Sequence, residues 1–203
     1  MKVKEMNKFI KHCDTYFGQE EPVVLHPDNK SDIHIDVLLY KPNNKYPFWK
    51  LVTMGASDYK MPSVPNTIGL YNEYMMFVDK DVDLNDTEIV SWYYDKLFLV
   101  SSYAFYNNTH ITYGHSMEWE NSEKDDEMIA AFIEMPQILE NIGVLNCKLG
   151  LFKTVSCLQV VLLNSKELNK LLKIGPQEFS EYLYPENGDK PHYLCERCRS
   201  KKF

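Results

Sequence analysis

The sequence predicts an α/β (α+β) fold: a single domain in which a mixed, largely antiparallel sheet is flanked by helices. Three observations carry this. The chain opens on an amphipathic helical stripe, residues 31–78 hold successive strand patterns joined by turn-forming connections, and Thr154 to Leu163 is a nearly continuous β-branched and apolar run of the kind found in central strands. With 203 residues and 44% hydrophobic content, the chain can bury a core without disulfide or metal staples.

In residues 2–17, Val3, Met6, Ile10, Cys13 and Phe17 follow the spacing of one helical face, and Gly18 supplies a stop. Val23-Val24-Leu25 reads as a short strand and His26-Pro27-Asp28-Asn29-Lys30 as a turn. From Ser31 to Tyr40, apolar Ile33, Ile35, Val37 and Leu39 alternate with Asp32, His34, Asp36 and Leu38, the period of a strand with one buried face. Phe48 to Met54 is its antiparallel hairpin partner, and Ile68 to Val78 completes a meander. Asn85 or Asp86 caps a helix reaching about Tyr106, with Ile89, Trp92, Tyr93, Leu97, Val100 and Ala104 facing inward. Ile111 to Trp119 and Met128 to Met135 read as strands around an acidic turn, and Gly143 to Leu151 as another. After Thr154–Leu163, Asn164 or Ser165 caps a helix to Lys173, and Pro176 opens the last helix, which ends near Tyr184. These elements place the domain at residues 1–186. Residues 187–203 form a basic, CxxC-containing tail with Lys190, Arg197, Arg199, Lys201 and Lys202.

The formal charge of −7 opposes general nucleic-acid binding, which needs an excess of Lys and Arg on some face, and favours a cationic partner. No signal-peptide h-region opens the chain, and no apolar run is long enough to span a bilayer, so the expected location is cytoplasmic, off the membrane. Five cysteines without a secretion signal fit reduced thiols.

Catalytic signatures are scarce. Gly55-Ala56-Ser57-Asp58-Tyr59 lacks the second glycine of a nucleophile elbow and leads to Met61-Pro62, so it reads as a turn whose tip carries Asp58, Tyr59 and Lys60. The glycines never cluster into a phosphate-binding loop. Asp32, His34 and Asp36 at i, i+2, i+4 share one strand face and, with His115, define an alternative reading as a metal-dependent hydrolase. His192, Cys195 and Cys198 have zinc-ligand spacing; a fourth ligand would come from Cys13, Cys147, Cys157 or a second chain. Glu118, Glu120, Glu123, Asp125, Asp126 and Glu127 place six carboxylates within ten residues, either as a solvated hairpin or as a docking patch for a basic partner.

Ile33-His34-Ile35-Asp36-Val37, then Pro42, Leu51-Val52-Thr53-Met54-Gly55-Ala56-Ser57, Met61-Pro62 and Leu70 to Phe77 follow one another in an order that resembles the suppressor-of-fused domain family. Tyr113-Gly114-His115-Ser116 is similar to that family's "gHt" segment. Val160 to Leu168 resembles its strand-to-helix passage, with Asn164 where a proline is typical. The resemblance spans roughly residues 20–185. It implies a binding protein without enzymatic activity: animal members restrain a transcription factor, and many bacterial members look like immunity proteins. The expectation is a bacterial antitoxin or immunity protein that neutralises a cognate toxin encoded nearby by direct binding, with a regulatory adaptor as a further alternative. The candidate partner-binding residues are Asp58, Tyr59 and Lys60 on the turn and the six carboxylates of the acidic segment.

Overall fold

Apolar residues occupy both faces of the central strands, so the sheet needs a cover on each side. The computed structural model, which describes residues 1–18, 21–27, 32–64, 69–120, 127–184 and 191–198, supplies both covers. The order of elements is α1 (Val3–Phe17), β1 (Val23–Leu25), β2 (Asp36–Tyr40), β3 (Phe48–Met54), β4 (Asn72–Asp79), α2 (Thr87–Asn107), β5 (Ser116–Glu118), β6 (Ala130–Glu134), β7 (Asn146–Lys148), β8 (Thr154–Leu163), α3 (Ser165–Ile174) and α4 (Pro176–Tyr182). The strands form one open, eight-stranded sheet in the order β1-β2-β3-β4-β8-β6-β5, with β7 also paired to β8. The β4–β8 pairing is parallel and the others are antiparallel, which makes this a single-domain, mixed and mostly antiparallel α+β fold.

Helix α2 lays Trp92, Tyr93, Leu97 and Val100 on the face built by Val37, Leu51, Met76 and Val160. The opposite face is covered in two parts. Phe9, Cys13 and Phe17 of α1 meet Leu38, Tyr40, Val52 and Phe77, while Leu168, Leu171 and Phe179 of α3 and α4 meet Phe132 and Val161. This double cover corrects the expected single buried face between Ser31 and Tyr40. All five residues of β2 are buried, and ladder pairing begins only at Asp36. The alternation that is visible in sequence belongs to the extended approach, where Ile33 and Ile35 are buried and Asp32 and His34 exposed. Similar trimming applies elsewhere: β5 covers three residues of the expected 111–119, and Gly143–Leu151 divides into a 3-10 turn (Ile142–Leu145) and β7. Val3, placed on the buried stripe of α1 by spacing, is 72% exposed, and Phe9 takes the inward position instead.

The helix ends follow local chemistry. The Asp86 side chain accepts from Glu88 N and Ile89 N, and Gly18 takes a left-handed φ of 63° at the end of α1. Asn164 and Glu167 exchange bonds across a capping box at 2.9 and 3.0 Å. None of the helices among the described residues is long and apolar enough to cross a membrane.

The stretch set apart in sequence as a tail is docked over residues 191–198. Cys195 N donates to Phe77 O at 2.7 Å, and Cys195 bridges Val78 in parallel fashion. Its thiol lies 3.5 Å from Leu162 N and 3.6 Å from Val160 O. Residue 195 therefore wedges between the ends of β4 and β8, in the fork left where their direct pairing stops at Met76 and Val160.

At Gly55 the chain leaves β3 with φ 131°, and a Cβ there would stand 2.4 Å from the His34 carbonyl oxygen. Gly55→Ala therefore combines backbone strain with a clash against main chain, and should lower stability by about 3 kcal/mol, read as a lower urea midpoint at unchanged slope. Lys50 on β3 is fully buried, and its Nζ donates to Lys41 O at 2.6 Å. Burial pulls its pKa down from 10.5 to about 8. Between these values the unfolded chain binds this proton more tightly than the native one, so the contribution of Lys50 to stability rises as pH increases from about 8. In urea titrations from pH 7.5 to 9.5 the stability of the parent relative to Lys50→Met should rise with pH, a comparison in which the opposing pull of the buried thiols cancels.

Candidate functional site

The 55–60 turn is built around a buried acid. Glu73 on β4 is fully buried, and its carboxylate accepts from Thr53 Oγ1 at 2.6 Å, Gly55 N at 2.9 Å and Ser57 N at 3.0 Å. Burial pushes its pKa above the ordinary carboxyl value, and the three hydrogen bonds pull the other way. Ser57 is itself fully buried in the 3-10 turn Ala56–Asp58, the opposite of an exposed nucleophile.

The turn presents Asp58 and Lys60 to solvent and half-buries Tyr59. Asp58 pairs with the Met1 amine and, at 3.3 Å, with Lys153 Nζ. Tyr59 packs edge-on against Phe105 and donates to Asn108 Oδ1 at 2.9 Å. Two members of this candidate trio thus hold the turn against α1 and α2, and Lys60 projects outward.

In the acidic segment, Glu118 and Glu120 are exposed and Glu127 half-buried, its N donating to Arg197 O at 3.3 Å. Glu123, Asp125 and Asp126 lie outside the described residues. Beside this end of the sheet, Asp79, Asp81, Val82, Ile89, Trp92, Tyr93 and the 196–198 segment line an open groove of about 460 Å³. Lys96 lies over the rings of both Trp92 and Trp119, and Arg197 over Trp92. The two candidate partner patches are not adjacent. Asp58 contacts Lys153 just before β8 begins, whereas Ile129, above the acidic segment, bonds Leu163 where β8 ends. Ten strand residues separate them, about 30 Å.

The hydrolase alternative required Asp32, His34, Asp36 and His115 to converge, and they do not. His115 sits at the β5 edge with Nδ1 2.9 Å from Thr112 O, while Asp36 begins β2, five strands away across the sheet, about 24 Å. Asp32 is exposed and outside the cluster that does form. That cluster brings in His26, which the sequence reading passed over as part of a turn: His26 Nδ1 and His34 Nε2 lie 2.8 and 2.9 Å from the same atom, Asp36 Oδ1. A register argument could have found it, because Leu25 pairs with Val37, so the next step outward sets His26 opposite Asp36.

The tail residues His192, Cys195 and Cys198 do not bring their three ligand atoms within 4.8 Å of one another. The Cys195 thiol points into the β4–β8 fork, and His192 stacks on Tyr182 with Nδ1 3.8 Å from Glu167 Oε1. Cys198, half-exposed, borders the groove. Among the described residues, the group of three ligand atoms that gather within 4.8 Å of one another is His26, His34 and Asp36.

In sequence, residues 31–194 match the family model described as Suppressor of fused protein (SUFU). The chain belongs to the suppressor-of-fused family. No curated protein matches it in sequence. Among solved structures, the SUFU fold seen here is similar to the Sufu-Fu complex crystal structure, with a TM-score of 0.65 at 15% identity, covering 97% of this chain and 91% of that one. Drosophila Suppressor of Fused gives a TM-score of 0.65 at 16% identity; 97% of this chain is covered, and it spans 51% of the Drosophila chain. A putative SUFU homolog from Neisseria gonorrhoeae FA 1090 gives a TM-score of 0.65 at 12% identity, with 96% and 94% of the two chains covered. At these identities the likeness is one of fold. The family match runs past residue 186 into the docked segment, ending one residue before Cys195.

Thiol chemistry of this SUFU chain follows from burial. Cys13, Cys147, Cys157 and Cys195 are buried and Cys198 is partly exposed. Burial raises the pKa of Cys13 and Cys157 and pushes Cys147 up to about 11, which suppresses the reactive thiolate. A native Ellman's titration should show one fast thiol, abolished by Cys198→Ser, and five thiols in denaturant. A second fast thiol in the native protein would contradict the docking of Cys195.

Proposed function

We propose that this protein is a non-enzymatic binding module, and that its partner is a cationic toxin encoded beside it, which it neutralises by covering the toxin's working surface. The observation that carries the reading is the likeness in fold to a Sufu crystallised in a complex with Fu, over nearly the full length of both chains. Of the four residues the hydrolytic reading needs, His34 and Asp36 meet while Asp32 and His115 stand apart from them, which supports a binding role over that hydrolytic one. The chain's charge of −7 and the exposed carboxylates of Glu118 and Glu120 favour a basic partner, since such a field accelerates encounter and discriminates against acidic competitors.

The docking surface in this proposal is the acidic end of the sheet, with the aromatic groove beside it. The half-buried Trp119 and the apolar wall of the groove offer contact area and the carboxylates form a charged rim, the division of labour common at protein interfaces. The Asp58–Tyr59–Lys60 turn stands at the far end and is engaged within the chain through Asp58 and Tyr59.

Calorimetry with the product of the adjacent toxin gene tests both parts. Stoichiometric binding is expected, weakening at least tenfold on Glu118→Lys/Glu120→Lys and with added salt, while Asp58→Ala/Lys60→Ala has little effect. Absence of binding to that product overturns the toxin assignment. Binding indifferent to salt and to charge reversal overturns the surface.

A further inference from the structure

We propose that His26, His34 and Asp36 form a binding site for one divalent transition-metal ion of the zinc type, at the open edge of the sheet. Two imidazole nitrogens converge on one carboxylate oxygen: His26 Nδ1 at 2.8 Å and His34 Nε2 at 2.9 Å from Asp36 Oδ1. Such a donor set, two neutral imidazoles and one carboxylate, suits zinc, cobalt or nickel, in contrast to the all-oxygen shells of calcium and magnesium.

The distances fit. Zinc holds nitrogen and carboxylate oxygen at about 2.0–2.2 Å, which puts neighbouring ligands about 2.9–3.4 Å apart at angles from 90° to tetrahedral. A metal entering there would lengthen the two nitrogen–oxygen distances by no more than about half an ångström, and the two nitrogens lie within 4.8 Å of each other. Burial also separates the roles. The Asp36 side chain is only 5% exposed, whereas His26 and His34 are 68% and 69% exposed. A buried carboxylate is thus held at the floor of the site, and two solvent-facing rings can rotate onto an arriving ion.

The backbone fixes this arrangement before any ion arrives. His34 and Asp36 are two residues apart on an extended segment and share a face. The His34 carbonyl is packed against Gly55, so the turn held by Glu73 also sets the position of His34. Pairing of Leu25 with Val37 brings His26 alongside. Three protein ligands leave at least one coordination position open, and His26 also borders a groove of about 640 Å³ between β1 and α2, whose wall includes Asp95 and Tyr94. The open position would be taken by water or by a donor atom of a molecule lying in that groove.

This inference stands apart from the toxin-binding proposal, since the site is remote from the acidic end. The test is isothermal titration of metal-free protein with zinc chloride, paired with thermal melts and with cobalt(II) absorption spectroscopy. One zinc per chain and a melting temperature raised by zinc are expected, with cobalt giving visible d–d bands that zinc bleaches. His26→Gln and His34→Gln should each weaken zinc binding at least tenfold and erase the cobalt spectrum, without changing the metal-free melt. These two side chains are exposed, so the variants leave the core intact. The control, His192→Gln/Cys198→Ser, should bind zinc as the parent does. Failure of the parent to bind zinc at one equivalent overturns the proposal, and so does binding retained by His26→Gln/His34→Gln but lost from the control.

Discussion

The Glu73 carboxylate is the constraint on which the rest of the sheet depends. A fully buried carboxyl group is tolerable only when its lone pairs are used, and three hydrogen bonds from Thr53, Gly55 and Ser57 use them. In return those donors lock the exit of β3 to the start of β4. Thr53 Oγ1 further accepts from Tyr74 N at 2.8 Å, so both strands are tied at one place by side chain as well as by ladder bonds. The tight turn that follows exists because Gly55 tolerates a positive φ and carries no Cβ to strike the His34 carbonyl. From that contact the position of His34, the start of β2 at Asp36 and the placement of the edge strand β1 all follow.

Away from this knot, the sheet is held by cover. Every residue of β2, β3 and β4 is buried, and the two faces are closed by helices distant in sequence, α2 on one side and α1 with the α3–α4 pair on the other. A polar residue inside such a layer must find a local partner. Lys50 reaches the Lys41 carbonyl, and Glu134 accepts from Met135 N at 2.6 Å and from the Ser180 hydroxyl of α4. Burial raises the pKa of Glu134 for the same reason as that of Glu73.

What was legible in the sequence is what local chemistry decides. The caps at Asp86 and Asn164, the Gly18 stop and the β-branched run of β8 are readable from a few neighbouring residues, and the structure places them where that chemistry requires. Less legible was anything set by partners far along the chain. Alternation over Ser31–Tyr40 implied one buried face, because α1 and α2 could not be foreseen on opposite sides of β2. Spacing made His192, Cys195 and Cys198 look like a ligand set, yet the Cys195 thiol serves the β4–β8 fork and His192 stacks on Tyr182. His26 looked like turn material until the β1–β2 register set it opposite Asp36. Catalytic candidates dispersed for the same reason: i, i+2 spacing reports a shared face, and says nothing of what the other strands bring to it.

The wedge at Cys195 bears on how the protein is made. The Phe77 carbonyl and the ends of β4 and β8 have no completed seam until residue 195 has been synthesised, and the hydroxyl of Tyr93 waits for a carbonyl 102 residues further on. Until then the fork beyond Met76 and Val160 is a short notch of unpaired main chain, the kind of edge that chaperones shield and that neighbouring nascent chains can invade. Residues 72–76 and 156–160 can already be paired by then, so the late event is closure of this notch alone, and a ribosome stalled short of residue 195 would display a parallel seam open at one end.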